Sequence, residues 1–329
     1  MKKLHTIFLS LLTLLTLTAC GSTAADSDSA SADSEEPAAY SIGISQFAEH
    51  ASLDNCREGF LKGLEEAGLR EGTDFTVHLQ NAGGDPALAA QIAQGFSAED
   101  ADLMVGIATP AAVACYAAAE EKDIPVVFTA ITDPVGAGLS KGNVTGTSDV
   151  LPVEAQLQLI RELQPEAKTI GLIYNTSEPN SCYSTEVYEK LAEQYGFTMD
   201  TVGITSQPEV SQAVDSLLAR KVDCLTNITD NMVTDVLPST LEKCRAAGVP
   251  VYGSEIEQMK LGCVAGAGLD YVDLGVQTGK MAAKVLRGEA ACADLPYEVI
   301  EHYELYVNQE ALSALHLTLP ETLSAQNVA

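Results

Sequence analysis

Leu103 to Val135 reads LMVGIATPAAVACYAAAEEKDIPVVFTAITDPV, and the fold turns on this stretch. An apolar run, Leu103–Ile107, stops at Thr109-Pro110. An Ala-rich segment follows, and a second apolar run, Pro125–Phe128, stops at a polar loop ending in Asp133-Pro134. Short buried strands closed by turn residues and joined by a helix mark parallel β/α units. In open sheets of that kind, ligands bind outside the carboxyl ends of the strands. Thr109, Thr129 and Thr132 fall at that edge. Thr109 stands where an N-cap belongs, and Pro110 stands at the first helical position. The amides of that first turn and its positive dipole end then face a cleft and suit a carboxylate. Thr109 fits equally well as a cap and nothing more.

The same grammar runs outward in both directions. Tyr40–Ser45 is a strand with the exit loop QFAEHASLDN, and its helix ends before Gly68. Asp74–Gln80 is a second strand, and Asp85-Pro86 opens the next helix. Asn143–Asp149 (NVTGTSD) reads as a crossover, with a helix starting near Val153. Beyond it, strands are expected at Lys168–Tyr174, Thr198–Ile204, Val222–Asn227, Val249–Tyr252, Cys263–Gly268 and Glu304–Val307. Helices are expected to Tyr195, over Pro208–Ala219, to Ala247, and from Asp270-x-x-Asp273 to Leu286. This is an α/β chain of two Rossmann-like, flavodoxin-like lobes with parallel sheets. Lobe 1 spans 40–148 and lobe 2 spans 149–268. Residues 269–329 form a crossover helix and a C-terminal segment, part of which returns to lobe 1. Two facing lobes of this kind make a hinged cleft.

Composition narrows the function. The chain has 329 residues and a net charge of −28, which offers no basic surface for nucleic acid. There is no Trp, so ring stacking on a ligand falls to Phe or Tyr. Phe47, in the first exit loop, is either such a surface or a lid on the local core. The first loop lacks GxGxxG. The near match at Gly266-Ala267-Gly268 has Tyr271 where its last glycine belongs, which argues against a dinucleotide cofactor. The eight cysteines form no CxxC pair, and the five histidines are scattered, so no metal site is expected. Buried, unpaired thiols are the reading for the seven cysteines after Cys20.

The opening MKKLHTIFLSLLTLLTLTAC reads as a secretory signal peptide, residues 1–19, too short to span a membrane. Leu17–Cys20 resembles a bacterial lipobox, which implies cleavage before Cys20 and lipid on its sulfur. Residues 20–39, rich in Ser, Ala and acids, read as a flexible linker. The folded part then sits outside the cell membrane, held to it by lipid alone.

Several runs carry a family resemblance: IGISQFAEHASLDNCREGF, ATPAA, VFTAITDPVGAGL, GNVTGTSD, LIYNTSEPNS and GLDYVDLGVQTGKMAAKVLRGE. Over residues 40–310 the chain resembles the ABC-transporter substrate-binding lipoproteins related to tryptophan- and tyrosine-uptake proteins. The resemblance implies a type I periplasmic-binding-protein fold and a monomer. It also implies a small amino-acid ligand, aromatic by preference, delivered to a permease and its ATPase. Its ligand loops fall on Gln46 and Phe47; Thr109, Pro110 and Ala111; Thr129, Thr132 and Asp133. In the second half they fall on Asn175, Ser177, Glu178, Asn180 and Ser181, on Asp230 and Asn231, and on Asp270. Pro179 departs from the pattern and is expected to stiffen its loop.

An amino acid is a zwitterion, so its carboxylate is expected at the Thr109–Ala111 amides and its ammonium at Asp230, or at Glu178. Asp230 also fits as a helix cap. An anchored hydrolase would need a G-x-S-x-G elbow, which is absent. A ligand-binding partner of a membrane sensor, built on the same fold, remains a rival.

Overall fold

The computed structural model describes residues 40–300 and 302–328; the leader, Cys20 and the linker lie outside them. The first lobe runs β1 (Tyr40–Gln46), α1 (Ala51–Glu66), β2 (Phe75–Asn81), α2 (Pro86–Ala98), β3 (Leu103–Ile107), α3 (Thr109–Ala119), β4 (Val126–Ile131) and β5 (Val144–Ser148). The second continues with α4 (Val153–Leu163), β6 (Thr169–Asn175), α5 (Pro179–Ala192), β7 (Thr198–Ile204), α6 (Gln207–Ala219), β8 (Cys224–Thr226), α7 (Asn231–Asp235), α8 (Leu237–Ala247), β9 (Val251–Tyr252), α9 (Ile256–Leu261) and β10 (Ala265–Gly268). The last stretch holds α10 (Tyr271–Leu286), β11 (Glu298–Val299), β12 (Glu304–Val307), α11 (Gln309–Ala314) and β13 (Gln326–Asn327).

The first sheet has the order β11-β5-β4-β3-β1-β2, all parallel. Strands β3 and β4 are buried along their whole length because helices cover both faces, which is why both read as unbroken apolar runs. The second sheet, β7-β6-β8-β9, is also parallel. Gly253 N–H donates to the Ala265 carbonyl at 2.9 Å, joining the β9 end to the β10-β12-β13 sheet. Both parallel sheets reverse direction beside their first strand, at β1/β3 and at β6/β8. Those switch points are where open α/β sheets take ligands.

The final third returns to the first lobe. Leu274, Ala282 and Cys292 belong to its core, and β11 extends its sheet beyond β5. Helices α10 and α1 lie parallel with their backbones in contact. A Cβ added at Gly59 or Gly63 would collide with the carbonyls of Val272 or Val276. One added at Gly275 or Gly279 would collide with those of Cys56 or Phe60. After β11 the chain crosses again, and Val307, Ala311 and Leu312 complete the second lobe's core.

Several expectations are corrected in detail. Strand β4 runs on to Ile131, with a register shift against β5 between Phe128 and Ile131. The expected helix to Ala247 is broken at Val236, because Pro238 starts α8 afresh. Helix α9, only six residues long, is too short for periodicity to reveal. Pro179 is the first residue of α5 and starts that helix rather than stiffening a loop. All seven described cysteines are free, six of them buried. Among the described residues no helix is long and apolar enough to cross a membrane.

The glycine seam makes a direct prediction. Gly59→Ala and Gly279→Ala should each lower the unfolding free energy by about 2–3 kcal/mol, overpacking outweighing the gain in helix propensity. Gly95→Ala in α2, where an added Cβ meets nothing, should raise it by up to ~1 kcal/mol. Urea denaturation measures all three, and a uniform response would sink the seam as a close contact.

Candidate functional site

Between the two lobes lies a nearly closed cavity of about 20 Å³, room for little more than a single water in this form. Every wall residue lies at or beyond the carboxyl end of a strand. From the first lobe come His50 and Leu53 after β1, Ala108 and Thr109 after β3, Ala130 and Thr132 around the end of β4, and Asp149 after β5. From the second come Asn180 after β6, Thr229, Asn231 and Thr234 after β8, and Glu255 after β9; Tyr271 follows β10.

The chain is strained where it enters this cavity. Ala108 caps α3 with φ 73° and ψ 155°, and Ala130 has φ 59°. Left-handed alanines cost of order 1 kcal/mol or more each and collect at ligand clamps. Thr109 is therefore the first helical residue and not the cap. Its side chain caps nothing; the residue is 2% exposed and its hydroxyl has no partner. Three more buried atoms on the wall also lack a partner: His50 Nδ1, Asn180 Oδ1 and Thr229 Oγ1. Buried polar groups normally bond to protein, water or a ligand, and four around one cavity make it a polar site.

Two acids complete the wall. Asp149 accepts from the Thr132 hydroxyl at 3.0 Å and the Tyr271 phenol at 2.7 Å. Burial pushes its carboxyl above the usual range, and those two hydrogen bonds pull the other way. Glu255 accepts from Gln258 Nε2 at 3.0 Å; burial raises it too, and neighbouring His50 opposes the rise. Both acids are 2% exposed. Among the described residues neither forms an ion pair, and no Lys or Arg lines the cavity. His50 Nε2 lies 3.1 Å from Asn231 Oδ1, while Asn231 Nδ2 donates to Glu178 at 2.6 Å. That fixes the amide, so Nε2 carries the proton and Nδ1 faces the cavity.

The predicted positions divide accordingly. Thr109, Thr132, Asn180 and Asn231 line the cavity. Phe47 and Glu178, again with Asn231, line a separate groove beside Gly83 and Gly84. The others lie off the cavity wall, each for a local reason. Asp230 is consumed as a cap, accepting from Val233 N–H at 2.8 Å and Asn175 N–H at 2.6 Å. Burial, and then the Glu178 charge, hold its carboxyl well above the usual range. Asp270 caps α10, and Asp133 closes a turn onto Gly136 N–H. Gln46 bonds the Ala48 carbonyl, Asp54 and Arg57. Thr129 pairs with Thr147 at 3.2 Å, inside the sheet. Asn175 accepts from the Ser177 amide in a tight turn, and the Ser181 carbonyl accepts from Thr185. Pro110 and Ala111 form the first turn of α3, behind Thr109.

Sequence reasoning missed His50, Asp149, Thr229, Glu255 and Tyr271. Asp149 and Tyr271 sit inside runs that carried the family resemblance, GNVTGTSD and GLDYVD. Glu255, in GSEIEQ, had no such signal.

Comparison with known proteins gives a consistent picture. A family model described as ABC transporter substrate binding protein matches residues 41–328. A tyrosine-binding protein of Clostridioides difficile (strain R20291) is 39% identical over 293 residues, covering 87% of this chain and 83% of that one. An ABC domain of Streptococcus pneumoniae solved in complex with L-Trp superposes with a TM-score of 0.84 at 36% identity, over 89% of this chain and 100% of that one. A ligand-free, open substrate-binding protein with adhesive properties from Clostridium difficile gives 0.67 at 37% identity, over 88% and 99%. At nearly equal identity, the shape matches the complex better than the open form.

The buried acids set a pH dependence. Their folded-state values lie above the ordinary carboxylate value of about 4, so the folded protein holds protons more tightly than the unfolded chain. Stability of the closed form should therefore fall as pH rises from about 4 through the raised values. Asp149→Asn should flatten the slope. Thermal unfolding from pH 4 to 8 reads both, and a rise across that range would contradict the burial of these acids.

Proposed function

Because the chain belongs to the ABC transporter substrate-binding proteins, we propose that its cargo is an α-amino acid, an aromatic one foremost, held in the interlobe cavity. One observation carries this: the same small space joins an uncompensated acid, Asp149, to a helix start bearing an unpartnered hydroxyl, Thr109. A zwitterion needs those two opposite partners. Its ammonium goes to Asp149, which takes the place first expected of Asp230. Its carboxylate goes to the first turn of α3 and the Thr109 hydroxyl. Leu53, Ala108 and Ala130 supply the apolar wall. Thr229 and Asn180 offer hydrogen bonds from the other lobe.

The tyrosine-binding relative and the L-Trp complex support the ligand class. The better match to the liganded structure supports reading this chain as closed. The family acts outside the cytoplasm. On this reading Cys20 carries the lipid, residues 20–39 tether the folded part to the membrane, and the closed surface is what the permease, driven by its ATPase, receives.

A thermal-shift screen of the twenty amino acids tests the class, since a ligand for the folded state raises the midpoint by mass action. Tryptophan, tyrosine or phenylalanine should give the largest rise; no response from any of the twenty would defeat the proposal. By titration calorimetry, Thr109→Val and Asp149→Asn should each weaken binding about 10- to 100-fold. Asp230→Asn should leave the affinity within about threefold, because hydrogen bonds to other parts of the chain already occupy that side chain.

A further inference from the structure

We infer that Asp149 and Glu255 form a charge gate across the cleft, which disfavours closure until a ligand brings a cationic group between them. This rests on the amino-acid reading and deepens it. It makes the ammonium, ahead of ring or carboxylate, the part of the ligand that permits closure.

The two carboxylates reach one cavity from opposite lobes, Asp149 from the end of β5 and Glu255 from the end of β9. Each is fixed in place. Asp149 is held by Thr132 and Tyr271. Glu255 is held by Gln258, whose side-chain amide oxygen accepts from Ser254 N–H at 3.0 Å, by a hydrogen bond with Ser52 of the first lobe, and by a backbone bridge to Leu269. Neither is placed to swing into solvent as the lobes meet. In the closed form both are almost fully buried, with no Lys or Arg on the wall. The hydrogen bonds that tie the lobes elsewhere are few and modest, such as His50 to Asn231 at 3.1 Å and Asn55 to Glu257 at 2.9 Å.

Closing an empty cleft thus strips water from two like charges with only the His50 imidazole beside Glu255 to offset them, a cost of several kcal/mol. Opening rehydrates both. A ligand ammonium between them turns the same two groups into attractive partners, so its differential affinity for the closed form is large.

Small-angle scattering and titration calorimetry on the purified protein test this at pH 8, where an ordinary imidazole is neutral. Glu255→Gln keeps the shape and removes one charge. Without ligand it should be more compact than wild type, shifted toward the ligand-bound profile. It should also bind the amino acid roughly 10- to 100-fold more weakly. Asp149→Asn relieves the same repulsion from the other lobe and serves if Glu255→Gln fails to fold. Among probes, L-tryptophan and tryptamine should compact the wild type, and indole-3-propanoate, which lacks the amine, should not.

Ligand-free variants with scattering identical to wild type would overturn the gate, as would compaction by indole-3-propanoate. If both happened while amino acids still bound, the cargo reading would stand alone. If the variants compacted but none of the amino acids bound, the gate would stand and the cargo reading would fall.

Discussion

Backbone contact between two helices governs where this site can be. Gly59 and Gly63 of α1 lie directly against Gly275 and Gly279 of α10, with no side chain between them. The two helices are parallel, so their N-terminal ends emerge side by side. His50 precedes one and Tyr271 begins the other, and both face the cavity. The seam therefore does more than fill a core. It brings a segment from late in the chain against one from the start and sets the spacing of two site residues to within a fraction of a side chain. A Cβ at any of the four positions would push those helix ends apart.

On that frame the cavity is polar in an unbalanced way. Its donors and acceptors outnumber its partners, and its two acids face no Lys or Arg, only the His50 imidazole. Within a protein such groups are normally satisfied, because burying them bare costs more than most single contacts return. The strained alanines at positions 108 and 130 add to the stored cost. Both features favour an occupied site over an empty one. Selectivity then comes from the cost of leaving the site empty as much as from fit.

Much of this was legible in the amino-acid order. Buried parallel strands announce themselves as apolar runs, and their ends mark where a site must be. Hence the positions they mark, Thr109, Thr132, Asn180 and Asn231, lie on the cavity wall. What the sequence does not carry is the direction a side chain takes at a strand end. Asp149, Asp230 and Asp270 look alike there, each a short acid beside a helix start. Asp230 and Asp270 turn back onto amides as caps, while Asp149 is held toward the cavity by Thr132 and Tyr271, the latter from a distant part of the chain. Glu255 was harder still, since α9 is one short turn set by tertiary packing. Thr109 itself was one residue out of register, because an alanine in a left-handed conformation is not foreseeable from composition.

The return of α10 and β11 to the first lobe has a further consequence, for the order of assembly. The first lobe's sheet lacks its outermost strand, and its core lacks α10, until the second lobe has already been made. A nascent chain halted near the first crossover holds an unfinished half with an uncovered apolar face. Maturation is then a single late event that spans both lobes, slowed by the long loop that must close. The earliest strands thus wait on the latest helix for their cover.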